Sequence, residues 1–121
     1  MPVRGVRGAI TIDDDNPGEI MSATQSLLKH ILEANPTLAP EDIGSIYFTV
    51  TPDICSDYPA RSARELGWTQ VPLLCTQEIP VPNGLPKCIR VLLHWNTELT
   101  QKEITHVYLK GAEALRPDLR K

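Results

Sequence analysis

Apolar and polar positions alternate at the start of the chain in the manner of a strand. From Val3 to Ile12, Val6, Gly8, Ile10 and Ile12 fall on one face, and Gly5, Arg7 and Ala9 on the other. Gly5 and Gly8 leave room there for another backbone or a ligand to come close. The run Asp13-Asp14-Asp15-Asn16-Pro17 ends the strand, and the period then changes. Asn16 suits a helix N-cap, Pro17 the first helical position, and Glu19 a capping-box-like third position. Ile20, Ala23, Leu27, Leu28, Ile31 and Ala34 recur at helical spacing as far as about Asn35, with Lys29 and Glu33 turned to water. Pro36 stops the helix.

The β-branched and aromatic run Ile43 to Val50 predicts a second strand, broken by Thr51-Pro52-Asp53. Asp57 is placed to cap a short helix from Pro59 to Leu66, with Gly67 as its stop. Val71 to Gln77 reads as a third strand and Cys88 to Asn96 as a fourth, separated by the turn-rich Pro80-Val81-Pro82-Asn83-Gly84. Thr100 and Glu103 have capping-box spacing and open another short helix. Val107 to Ala112 predicts a last strand, and Leu115-Arg116-Pro117-Asp118-Leu119 a docked tail. Strands alternating with helices, joined by short loops, imply an α/β (α+β) fold. We expect a mixed sheet of about five strands, packed by one long helix and short helices, in a single domain spanning 1–121.

Composition narrows the function classes. The 121 residues carry a net charge of -3 with both signs interspersed, which argues against a nucleic-acid surface. No apolar stretch is long enough to span a bilayer, and no signal peptide is evident at the N-terminus, so no membrane partner is expected. Cys55, Cys75 and Cys88 are odd in number and lack CxxC spacing, which fits neither a disulfide framework nor a zinc site. A reducing cytoplasm is the simplest compartment. His30, His94 and His106 show no ligand spacing, so no metal is expected. So small a domain also gains from oligomerisation, which would supply clefts that the monomer lacks.

Two arginines break the apolar pattern. Arg90 interrupts Cys88-Ile89-Arg90-Val91-Leu92-Leu93, and Arg7 interrupts Val3-Arg4-Gly5-Val6-Arg7-Gly8-Ala9-Ile10. A guanidinium stays charged and is costly to bury unpaired, so each meets an internal carboxylate or waits for an anionic ligand. Together they suggest a site for a carboxylate-bearing molecule. Glu78 follows the third strand and suits either that site or solvent. Cys75, on the same strand, has no base at recognisable spacing, and a lone strand cysteine is usually buried. Arg61 and Arg64 share one face of the short helix with Tyr58 nearby, which on spacing alone reads as a solvated basic face. Tyr108 can pack as core or donate one hydrogen bond. Arg116 could pin the tail.

These segments resemble the trimeric α/β chorismate mutases, the monofunctional bacterial type rather than the all-helical one. The resemblance is carried by Arg4-Gly5-Val6-Arg7-Gly8-Ala9, Thr51-Pro52-Asp53, Ala63-Arg64-Glu65-Leu66, Gly67-Trp68 and Val71-Pro72. Cys75-Thr76-Gln77-Glu78, Cys88-Ile89-Arg90-Val91, His106-Val107-Tyr108-Leu109 and Leu115-Arg116-Pro117-Asp118-Leu119 extend it over nearly the whole chain in order. Each motif is weak alone, and their joint occurrence at these separations is specific.

The resemblance implies an isomerase that converts chorismate, a dianion, to prephenate. The reaction is an intramolecular Claisen rearrangement on the shikimate route to phenylalanine and tyrosine. It implies no cofactor and no metal, in agreement with a sequence lacking a triad, a metal cluster and a Gly-rich phosphate loop. It implies a homotrimeric pseudo-α/β-barrel with active sites between subunits. Arg90 would donate to the ether oxygen and a carboxylate. Arg7 and Tyr108 would hold the enolpyruvyl carboxylate, and Glu78 would accept from the ring hydroxyl. Cys75, Leu74 and Tyr58 would line the ring, Arg64 and Arg61 would stand near the cleft mouth, and Leu115 would help close it. Tyr58 stands where this family often has phenylalanine, Arg61 where lysine is familiar, and Leu74 where the residue is smaller and polar. With a chain ending at 121, no fused dehydratase, dehydrogenase or regulatory domain is expected. The rival readings are a non-catalytic trimeric anion-binding or regulatory protein, and an enamine or imine deaminase.

Overall fold

Alternation and period give most of the elements their places. The computed structural model describes residues 1–115 and forms a five-stranded mixed sheet with helices on one face. The strands are β1 (Val3–Thr11), β2 (Ile43–Val50), β3 (Leu73–Gln77), β4 (Cys88–Asn96) and β5 (Val107–Leu109), in the order β3-β2-β4-β1-β5. Both β1 and β2 run antiparallel to the central β4, while the outer pairs β2/β3 and β1/β5 are parallel. The long helix α1 (Pro17–Ala34) and the short α2 (Ala60–Glu65) pack on one face. Their apolar side chains meet Val6, Ile10, Phe48, Ile89, Val91 and Leu93 in one buried core.

Gly8 is required by this packing. A Cβ there would stand 3.0 Å from Ile31, 3.1 Å from Leu27 and 3.1 Å from the Val107 carbonyl. The space it leaves is taken by α1 and β5 rather than by a ligand. At Gly5 a Cβ would meet only Leu92, at an ordinary 3.6 Å.

Asn16 caps α1 as its type and position predict, its Oδ1 accepting from the Glu19 N–H at 2.8 Å. The Glu19 carboxylate departs from the capping-box expectation. It reaches past the cap to accept from the Asp13 and Asp14 N–H groups at 2.8 and 3.1 Å, which ties the helix start to the end of β1. At the other end Asn35 is buried. Its Nδ2 donates to the Ile31 and Thr105 carbonyls, and its Oδ1 accepts from the Thr105 N–H at 3.0 Å. Asn35→Ala would strand those backbone groups, and a loss of about 2 kcal/mol is expected. Urea titration at fixed protein concentration measures it.

Three elements differ from expectation in their bounds. The third strand starts at Leu73 rather than Val71, because Pro72 has no N–H and contributes only its carbonyl, to the Ile46 N–H at 3.0 Å. The short helix spans Ala60–Glu65, and Asp57 does not cap it. Asp57 accepts instead from the Tyr58 N–H at 2.7 Å and pairs with Arg61 at 2.9 Å. The last strand stops at Leu109 rather than running to Ala112. Lys110 has a φ of 53°, and Lys110–Leu115 winds as a 3-10 helix whose Gly111 N–H donates to Thr11 Oγ1 at 3.0 Å. Thr100 and Glu103 do form a capping box, on a single 3-10 turn. The expected docking of Arg116 and the tail lies outside the described residues.

Candidate active site

The sheet face away from the helices carries the chemistry. Since β4 alternates, Ile89, Val91, Leu93 and Trp95 are buried in the core, while Arg90, Leu92 and His94 turn to the other side. Register places Thr49 of β2 and Ala9 of β1 on either side of Arg90. Ala9 in turn pairs with Tyr108 of β5. At one end of this face Ala9, Cys88 and Ala112 form a small second core, against which Leu85, Tyr108 and Leu115 pack. A further network fixes the start of β4. Asp53 accepts from the Lys87 N–H and from Thr51 Oγ1, and Thr51 Oγ1 accepts from the Cys88 N–H at 3.0 Å. Arg90 therefore projects from a strand held on both edges and anchored at its beginning.

The resulting cavity has a volume of about 380 Å³. Arg7, Arg90, Glu78, Tyr108, Thr49 and Thr76 give it polar groups, and Gly8, Tyr47, Val91 and Leu92 complete the wall. It falls within the size range of small-molecule sites, ~300–1,000 Å³. Arg90 Nη1 stands 3.9 Å from Glu78 Oε1, longer than a hydrogen bond, so the guanidinium keeps donors for a ligand. Glu78 Oε1 accepts from Thr49 Oγ1 at 2.5 Å. The Tyr108 hydroxyl is buried without a partner among the described residues. Two cationic side chains, one carboxylate and an unused phenol thus converge, and the one pair among them, Arg90 with Glu78, is a loose ion pair without a direct hydrogen bond.

The remaining expected site residues lie elsewhere on the chain. Cys75 sits on the helix side of β3 and packs against the main core, across the strand from the Arg90 cavity. Burial pushes its thiol above the ordinary value, against smaller lowering effects of a hydrogen bond with the Ala60 backbone and the Arg64 charge, so it is a neutral wall rather than a thiolate. Cys75 and Tyr58 line a second hollow of about 440 Å³ with Cys55, Ser56 and Asp57. Asp15 anchors the loop beside it, accepting from the backbone and side chains of both Cys55 and Ser56. Those bonds, the Ser56 hydroxyl first, hold its carboxyl below the usual range. Tyr58 is 69 % exposed and Leu74 53 % exposed. Arg61 is committed to Asp57, and Arg64 is exposed beside Cys75. Leu115 packs with Tyr108 against the small second core and does not line the first cavity. One chain therefore brings Arg7, Glu78, Arg90 and Tyr108 into one cavity, places Tyr58 and Cys75 on another hollow, and leaves Arg61, Arg64, Leu74 and Leu115 lining neither.

Comparison with known proteins identifies the family. The family model for chorismate mutase type I matches residues 3–119. The chain belongs to the type I chorismate mutases. It is 50% identical over 117 residues to the chorismate mutase AroH of Thermus thermophilus, covering 97% of this chain and 96% of that one. It is 46% identical over 120 residues to the chorismate mutase AroH of Bacillus subtilis, covering 98% and 94%. A solved chorismate mutase from Clostridium thermocellum superposes with a TM-score of 0.88 at 49% identity, covering 91% of this chain and 97% of that one.

Sequence reasoning missed several residues of this chorismate mutase's cavity: Tyr47, Thr49, Thr76 and Leu92. Their signal was present in the alternation of β2, β3 and β4. Tyr47 and Thr49 lie on the face opposite Ile46 and Phe48, but placing them beside Arg90 requires the strand order.

Proposed function

We propose that this chorismate mutase rearranges chorismate to prephenate at a site completed by a second copy of the chain, in a homotrimer. One observation carries the reading. Arg90 lines a cavity and lies 3.9 Å from its carboxylate neighbour, so its charge is available to a guest. The division of the other site residues supports the second copy. The half with Tyr58, Cys75 and Arg64 is displayed outward on another part of the surface. The open sheet face adds exposed Tyr47, Leu74 and Leu92, an apolar surface suited to burial between subunits.

The rearrangement breaks the ether C–O bond as a C–C bond forms within one molecule. It calls for a selected conformer and for positive charge where negative charge develops. Arg90 donates to the ether oxygen and to a substrate carboxylate, for which its planar fork is suited. Arg7 and the unpartnered Tyr108 hydroxyl hold the enolpyruvyl carboxylate. Glu78 accepts from the ring hydroxyl and fixes orientation. Tyr58, Leu74 and the neutral Cys75 of the neighbour line the ring, while its Arg64 and Arg61 flank the mouth. Leu115 closes the side near Tyr108. Three cysteines outside any disulfide suit a cytoplasmic setting.

The test is the loss of chorismate absorbance on adding the purified protein, with prephenate as the product. Tight binding of a dianion without turnover would instead favour an anion-binding protein, and ammonia release from an imino acid a deaminase.

A further inference from the structure

We propose that Thr49 is a positioning residue of the active site, holding one oxygen of Glu78 so that the other meets the substrate's ring hydroxyl. The inference deepens the reading of Glu78 given above and rests on it.

Thr49 lies half-buried on β2, in register with Arg90 of β4 and with Thr76 of β3. Glu78 is just beyond the end of β3, where its N–H donates to the Val50 carbonyl at 2.8 Å. That bond fixes the backbone of Glu78 but leaves a long side chain with several rotamers to choose from. The choice is made by Thr49, whose Oγ1 donates to Glu78 Oε1 at 2.5 Å. The same oxygen faces Arg90 Nη1 at 3.9 Å. No described residue donates to Oε2, which is left as the acceptor for a ligand.

The geometry also sets up a competition. Glu78 and Arg90 carry opposite charges in a partly desolvated cavity and would gain by closing to a direct, charge-assisted pair. Such a pair would take both the acceptor and the essential donors from the substrate. The Thr49 hydroxyl holds Oε1 on β2, 3.9 Å from Arg90 Nη1, and so keeps the ion pair short of a direct hydrogen bond. Without it, Glu78 is expected to swing onto Arg90, which weakens substrate binding and lowers turnover together.

The experiment measures kcat and KM for the wild type, Thr49→Val, Thr49→Ser, Glu78→Ala and the Thr49→Val/Glu78→Ala double variant. Thr49→Val keeps the shape and removes the donor, and a fall in kcat/KM of about tenfold is expected, shared between KM and kcat. Thr49→Ser restores most of that loss. In the Glu78→Ala background Thr49→Val adds less than about twofold, since the partner it positions is gone. Wild-type kinetics in Thr49→Val, or an equal loss with and without Glu78, overturns the proposal. A Glu78→Ala variant with wild-type kinetics removes the role of Glu78 itself, and the two failures are thereby told apart. Thermal melts accompany each variant. Should Thr49→Val not fold, Thr49→Ala carries the same expectation.

Discussion

Arg90→Ala should reduce kcat by ~10²–10³ or more while changing substrate binding far less, as for removal of a donor whose partner becomes charged only in the transition state. Arg90 is the cation at the centre of the sheet, with Thr49 and Ala9 in register on either side. On the proposed reading that rigid strand sets where the guanidinium starts, so little reorganisation is needed when charge builds on the ether oxygen. Arg7 is exposed, and in the proposed role it would hold a carboxylate in ground and transition state alike. Arg7→Ala is thus expected to act on KM more than Arg90→Ala does. Arg90→Lys should fail nearly as badly as alanine, because an ammonium keeps the charge but cannot reach two oxygens in one plane. The fold should survive, since Ile89 and Val91 anchor the strand from the helix side. Stopped or continuous absorbance kinetics with chorismate, beside a thermal melt, decides the matter. Wild-type turnover in Arg90→Ala would remove the electrostatic account altogether.

The parts of this reading available from sequence were those set by local chemistry. Asn16 before Pro17 and the stripe from Ile20 to Ile31 specify α1 through capping and period, which need no tertiary information. Arg90 was legible because a permanent charge inside an apolar strand demands a partner. The turn at Lys110 was not, because Val107 to Ala112 has strand-like composition and only the left-handed backbone at Lys110 ends it. Asp57 was misread for a similar reason. It sits at capping distance in sequence, but Pro59 opens the helix with no N–H to offer and Arg61 competes for the carboxylate. Thr49 and Asn35 were invisible for a different cause. Each acts across a long sequence separation, on Glu78 and Thr105, and nothing local in either residue marks a distant partner. Resemblance supplied what physics could not, a reason to group Tyr58, Arg64 and Cys75 with a cavity they do not line.

That grouping leads to the second large effect. On the proposed reading Arg90→Ala should disable the sheet half of a site and Arg64→Ala the helix half, where the arginine stands beside Cys75. If each site is built from one copy's sheet half and its neighbour's helix half, two inactive variants hold complementary intact halves. Equal amounts, unfolded together and refolded, should assemble at random. A given site then has both halves intact about one time in four, so roughly a quarter of wild-type activity should return from two preparations that have almost none. Refolding each variant alone controls for recovery by refolding itself. A site contained in one chain would give no such return, because every copy carries one lesion and mixing cannot separate it from the cavity it damages. The outcome bears directly on why Tyr58 and Leu74 are exposed. Restored activity would mean that the surface left open by one chain is the wall of its neighbour's site, and that a domain of this size encloses its substrate only by lending half of each cavity to another copy.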